Sequence, residues 1–289
     1  MKEKKNKKVT IAGYSIIEIF TYFIIYSIIG YILETIFGIF TKGVLESRKG
    51  FLYGPFCPIY GLGGVVMMLS LKRFNKNTYT LFFGSALVGG VVEYLVSLIG
   101  EIVFKTKWWD YSDQILNING RICLGFSLIW GFLGVYLMKR LHPKVEKFYN
   151  KLKEKMGLKA VNVITIVLTV FLALDGIMTV IGLKVFYARL VHDYDLDVKN
   201  KAQYVRDYEE IYNNDRVTKK TNKVFSNKFM LKTFPNLKLE AEDGSMIYVS
   251  YVLKDIKPYY IKLFTPKENV IYEKIPITKD ITDKLIGID

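Results

Sequence analysis

The sequence predicts an all-α polytopic membrane protein of about five transmembrane helices, with a small α+β appendage at its C-terminal end. The first observation is compositional: 51% of the 289 residues are hydrophobic and the mean hydropathy is positive, although 41 Lys and Arg stand against 27 Asp and Glu. A chain so charged keeps a positive mean only when its apolar residues are gathered into blocks. The second is that such blocks fill the first two thirds of the chain, with charge between and after them. The third is an alternating, turn-punctuated pattern near the C-terminal end. Together they exclude a single soluble globular domain and a nucleic-acid-binding protein with a compact basic surface. Two cysteines, Cys57 and Cys123, exclude a disulfide-dense scaffold and a Cys-rich zinc site.

Residues 1–15 form a basic N-terminus, expected to be cytoplasmic. The helical membrane domain follows over residues 16–183. A bilayer core of about 30 Å needs roughly 20 helical residues. Five apolar runs qualify: Ile16 to Phe40, Gly54 to Leu71, Tyr79 to Phe104, Ile122 to Met138 and Ala160 to Leu183. The second and fourth are the shortest, but neither contains a charge. The first run is too long for a cleavable leader and reads as a signal anchor.

Orientation follows from basic loops, which stay cytoplasmic. The N-terminus, the loop after the second run and the loop Lys139 to Lys159 together hold sixteen Lys and Arg, against six in the other two loops. The N-terminus is therefore expected inside and, after five crossings, residues 184–289 outside. In that segment, Lys199 to Tyr212 has helical spacing. Leu237 to Ala241 and Ile247 to Leu253 alternate around Asp243-Gly244, a hairpin signal. Tyr259 to Phe264 and Val270 to Ile277 are further strand candidates.

Charged groups inside the apolar runs are the candidate site. A carboxylate in hydrocarbon costs roughly 3 kcal/mol on insertion scales, so it is expected to face the bundle or a wet cavity. Glu34 has Gly30 and Gly38 on its helical face; Glu93 has Gly89 and Ser97, with Glu101 one turn further; Asp175 has Thr179 and Gly182. With Arg121 at the start of the fourth run, Glu34, Glu93 and Asp175 could form a polar site open to the outside, holding a cation, a proton or an amine. The same carboxylates could instead pair with Arg121 or with tyrosine hydroxyls to fix helix register. Gly50, Gly54, Pro55, Pro58, Tyr60 and Gly61 lie in a Gly- and Pro-rich stretch, which points to a bent or partly unwound entrance of the second helix. Such breaks either coordinate ligands or make a turn and a packing face. Trp108-Trp109-Asp110-Tyr111 reads as an interfacial aromatic anchor. His192 to Asp197 lacks the glycine and bidentate glutamate of a calcium loop and reads as a solvated acidic patch. No nucleotide, metal or cofactor motif is present, and an intramembrane enzyme built on Glu34 and Glu93 lacks a nucleophile.

Gly30-Tyr31-Ile32-Leu33-Glu34-Thr35, Gly50 to Gly61, Trp109-Asp110-Tyr111-Ser112, Asn119 to Leu124 and Trp130-Gly131 resemble the bacterial CmpB family of ABC-transporter type IV permeases. Phe229 to Leu237 resembles the segment that follows that family's last helix, so the likeness covers Ile16 to Leu239. The resemblance implies a multi-pass protein of the bacterial cell membrane, with no substrate or catalytic residue attached. The expected function is a permease-like transporter subunit without its own ATPase, or else a non-transporting scaffold or envelope-assembly factor. Its expected partners are membrane lipid, an ATPase subunit in trans and a second copy of the chain, with no nucleic acid.

Overall fold

The computed structural model describes residues 10–75, 77–104, 109–256 and 260–264. In chain order the elements are β1 (Thr10–Ile11), β2 (Tyr14–Ser15), α1 (Ile16–Lys42), β3 (Val44–Glu46), α2 (Pro58–Leu71), a short 3-10 turn, α3 (Thr78–Phe104) and α4 (Leu124–Tyr136). A π-helical turn (Leu137–Leu141) then leads into α5 (His142–Met156) and α6 (Leu158–Asp193). Last come α7 (Lys201–Ile211), α8 (Asp215–Val224), α9 (Asn227–Thr233), β4 (Lys238–Glu240), β5 (Met246–Tyr248), α10 (Val249–Val252) and β6 (Tyr260–Lys262).

Four helical stretches among the described residues are long and apolar enough to cross a bilayer: Ile16–Lys42, Thr78–Val103, Leu124–Met156 and Leu158–Asp193. The second apolar run differs from expectation. Its helix starts only at Pro58 and has 14 residues, about 21 Å at 1.5 Å per residue and short of a ~30 Å core. The cause is local. Pro55 and Pro58 lack an N–H, and Gly54 sits at φ +71 in the left-handed region. Pro58 can only open a helix, where its missing donor is not needed. The basic segment after the fourth run also differs: instead of a loop it is α5, with Pro143 in its first turn, Val145 and Tyr149 buried, and most of its lysines exposed.

The chain divides into two compact units. The first comprises Met1–Tyr31, Tyr53–Ile99 and Trp109–Gly176. In its core Tyr22, Tyr26, Met68, Leu71, Leu81 and Tyr149 pack together. Helix α2 runs back along the first half of α1. At one end the Cys57 N–H donates to the Ser27 carbonyl (2.9 Å); at the other Lys72 donates to the Ala12 carbonyl (2.9 Å) and lies 4.0 Å from the Tyr14 ring centroid. Side chains such as Leu87, Phe132, Val163, Val167 and Leu174 point outward, as helices bathed in lipid require.

The second unit comprises Ile32–Leu52, Gly100–Trp108 and Ile177–Asp289. Phe186, Leu190, Val191, Met230, Leu231, Leu239 and Val249 form its core. Asn214 and Ser226 start α8 and α9 by accepting backbone N–H groups that a first helical turn leaves over. Arg189 of α6 donates to Asn222 Oδ1 (2.9 Å) and to the Phe225 carbonyl, bracing the end of α8 with a planar fork. The Asp243-Gly244 hairpin forms: β4 pairs antiparallel with β5, Lys238 opposite Tyr248, around Gly244 at φ +83. The alternation beyond it does not continue as strand, because Val249 and Val252 are buried three residues apart on the short helix α10. Strand β6 pairs antiparallel with β3, Glu46 opposite Tyr260, a partner from the other end of the chain. The strand candidate Val270 to Ile277 lies outside the described residues.

Candidate functional site

Glu93, in the middle of α3, is buried, with 5% of its surface exposed. One turn earlier, Gly89 leaves room for Trp130 of α4: a Cβ at position 89 would stand 2.5 Å from the Trp130 side chain. That approach brings the indole Nε1–H to Glu93 Oε2 at 3.0 Å. The loop before α4 supplies the second donor. Its Tyr111 N–H donates to the Gly120 carbonyl (2.8 Å) and its ring stacks on Phe126 at 4.6 Å. The Tyr111 hydroxyl thereby donates to Glu93 Oε1 at 3.1 Å. Trp109 holds the same loop by donating to the Arg121 carbonyl at 2.9 Å. The aromatic cluster expected as an interfacial anchor thus also turns two of its side chains to hydrogen-bonding tasks.

Arg121 addresses α3 one turn further on: its Nη1 donates to Ser97 Oγ at 3.3 Å and its guanidinium lies 5.7 Å from the Tyr94 ring centroid. The groups that hold Glu93 are therefore neutral, and they differ in kind. An indole N–H can only donate, whereas a phenol can donate or accept. An ionised Glu93 accepts from both. A protonated Glu93 still accepts from Trp130 and donates its own proton to Tyr111, whose hydroxyl need only rotate. The pocket can thus accommodate either protonation state with its heavy atoms in place.

Asp175 of α6 is buried, 3% exposed, and both its oxygens accept the Tyr53 N–H, at 3.1 and 3.2 Å. Thr179, one turn on, accepts the Leu52 N–H at 3.0 Å. These are consecutive backbone donors of a segment without regular structure, and the buried Asp175 and Thr179 supply the acceptors that such a segment lacks. Asp175 therefore serves the entrance of α2. Asp175→Leu is expected to lower thermal stability by about 1–3 kcal/mol through the stranded donor, while Asp175→Asn keeps an acceptor and most of the stability. Equal melting of both variants in detergent would refute this role.

The rest of the entrance is packed rather than open. Tyr60 lies against Gly30, where a Cβ would come within 2.2 Å of it, and Gly61 lies against Ser27 and Phe23. Gly50 is exposed in a bend, and Pro55 is exposed ahead of buried Phe56. Cys57 and Cys123 are both free and buried. Glu34 and Glu101 belong to the second unit and are partly buried there. Of the expected site residues, Glu93 meets Trp130 and Tyr111, Arg121 meets Ser97 and Tyr94, and Asp175 meets Tyr53, while Glu34 belongs to the second unit.

One polar centre was not anticipated. His142, 6% exposed, sits just after the π-helical turn, and its Nδ1 and Nε2 meet the hydroxyls of Tyr26 (2.7 Å) and Tyr14 (3.0 Å). A neutral imidazole needs one donor and one acceptor, and two phenols supply both. The Tyr22 ring packs edge-on against the imidazole at 5.4 Å. The sequence signal is Tyr22 and Tyr26, a turn apart on one face of α1. Among the described residues no three His, Cys, Asp or Glu side chains gather as a metal site. In the acidic patch after α6, a hydrogen bond from Lys201 (2.8 Å) holds the Asp195 carboxyl below its usual range.

Comparison with curated proteins and with solved structures finds no match in either. A family profile described as "Putative ABC-transporter type IV" matches residues 21–180, from the first turns of α1 into α6. The match contains Glu34, Glu93, Arg121, His142 and Asp175, and leaves Phe229 to Leu237 outside it. Since the match spans more than half of a chain whose long helices are built to cross a membrane, the protein belongs to the CmpB family of ABC-transporter-related membrane proteins.

Proposed function

We propose that the protein is a permease-like subunit of a transport assembly, recruiting its ATPase in trans, and that Glu93 is a proton- or cation-exchanging group in its interior. The observation that supports this reading is the Glu93 pocket: a buried carboxylate between a fixed donor and a reversible one. Intramembrane ionisable groups are costly and mark ion and substrate paths. A second reading, a non-transporting scaffold, draws on the hydrophobic core of the unit that contains the C-terminal segment, a body able to hold partners. Co-purification of the full chain in mild detergent separates the two. Recovery of an ATPase supports transport; recovery of wall-synthesis or division proteins supports scaffolding.

The orientation proposed with it places the N-terminus and α5 in the cytoplasm, following the basic residues. It also has the short helix α2 complete a crossing together with the irregular segment before it. In a background lacking Cys57 and Cys123, Lys151→Cys is expected to be shielded from impermeant reagent in intact cells and Ser245→Cys to be labelled. Labelling at 151 alone would invert the orientation, and shielding of both would mean that α2 does not complete a crossing.

A further inference from the structure

The second unit holds a small pocket that the transport reading does not use. Strands β3 and β6 contribute Glu46 and Tyr260, a pair in register, and β5 contributes Tyr248. Lys42 from the last turn of α1, Asn236 from the turn before β4, and Tyr251 from α10 complete its lining. Its volume is about 210 Å³, below the ~300–1,000 Å³ of sites for drug-sized ligands and on the scale of a single small ring.

The floor is polar and already arranged. Asn236 Nδ2 donates to Glu46 Oε1 at 2.9 Å, and Lys42 donates to Asn236 Oδ1 while lying 3.5 Å from the same Glu46 oxygen. Arg48 pairs with that oxygen as well, at 3.0 Å. Arg48 lies outside the lining, but with Lys42 it sets two cations against the one carboxylate, so the charge around this floor is net positive and disfavours a cationic ligand despite the aromatic walls. The walls are phenol rings. Tyr248 and Tyr251 meet edge to face at 5.8 Å, while Tyr251 and Tyr260 remain 44% and 52% exposed. A purely apolar ligand would strip water from the floor without replacing its hydrogen bonds. The complementary ligand has a flat C–H face for the tyrosines, a hydroxyl edge for Asn236 and Lys42, and a negative charge.

We propose that this pocket binds one ring of an acidic saccharide, a sugar of the uronic-acid class. The test is ligand-observed NMR and calorimetry on the full chain in detergent, with trigalacturonate as the acidic probe, chitotriose as the neutral one, and tetramethylammonium as the cation. Trigalacturonate is expected to bind more tightly than chitotriose. Tyr251→Ala and Tyr260→Ala should each weaken it at least tenfold, and Lys42→Gln should remove the preference for the acidic probe. Both tyrosines are half exposed, so an unchanged melting temperature checks that the fold survives their removal. Failure of trigalacturonate to bind, binding that both tyrosine variants retain, or binding of tetramethylammonium in its place overturns the proposal.

Discussion

Replacing Gly61 by Ala is expected to depress membrane abundance and thermal stability sharply, whereas Gly63→Ala two residues away leaves both unchanged or slightly improved. A Cβ at position 61 would stand 2.2 Å from Ser27 Oγ and 2.7 Å from the Phe23 carbonyl oxygen. Neither can give way cheaply. The Ser27 hydroxyl is itself donating to that carbonyl at 2.7 Å, and the carbonyl is helix backbone. The methyl must therefore push α2 off α1 and disturb the Cys57 to Ser27 backbone bond beside it, an overpacking cost of about 1–3 kcal/mol or more. At Gly63 a Cβ meets nothing within 4 Å, so the substitution keeps only the gain in helix propensity, up to about 1 kcal/mol. Thermal unfolding of both variants in one detergent decides the matter. Equal loss at the two positions would mean that α2 and α1 are not held at this separation.

What the sequence made legible was whatever is local. Hydropathy placed α1, α3, α4 and most of α6 because a helix that crosses lipid must be apolar on every outward face. Pro55, Pro58 and Gly54 located the break before α2, and Asp243-Gly244 located the hairpin, since both follow from backbone chemistry at the residues concerned. Glu93 could be singled out because a carboxylate inside an apolar run is expensive wherever it points. Its partners could not. Tyr111 and Trp130 lie 18 and 37 positions away, and Tyr14 lies 128 positions from His142. No periodicity reports a contact at such separation. The pairing of β3 with β6 was hidden for the same reason: Val44 to Glu46 is too short to alternate visibly, and its partner lies beyond all the membrane helices. Basic content made Lys139 to Lys159 read as a loop. Its helical form rests on Val145 and Tyr149, which bury one face of an otherwise charged segment.

If Glu93 is the exchanging group proposed above, Glu93→Gln is expected to abolish the protein's cellular activity while leaving expression and melting temperature near those of the parent. The amide can reproduce the hydrogen bonds: its oxygen accepts from Trp130 Nε1, as Glu93 Oε2 does at 3.0 Å, and its NH₂ donates to the Tyr111 hydroxyl, which now accepts. The glutamine thus imitates the protonated acid and cannot release a proton or pair with a cation. Glu93→Leu makes the contrast. It removes the acceptor that the partly buried indole N–H and phenol share, at up to about 1–3 kcal/mol for each group. Abundance and stability should therefore fall together with activity. Trp130→Phe removes the fixed donor alone and should lie between the two. If the carboxylate only fastens α3 to α4 and to the loop at Tyr111, then Glu93→Gln, which keeps every bond, should retain full activity, and only Glu93→Leu should fail. Activity, abundance and melting temperature measured for all three variants therefore separate an exchanging group from a structural one.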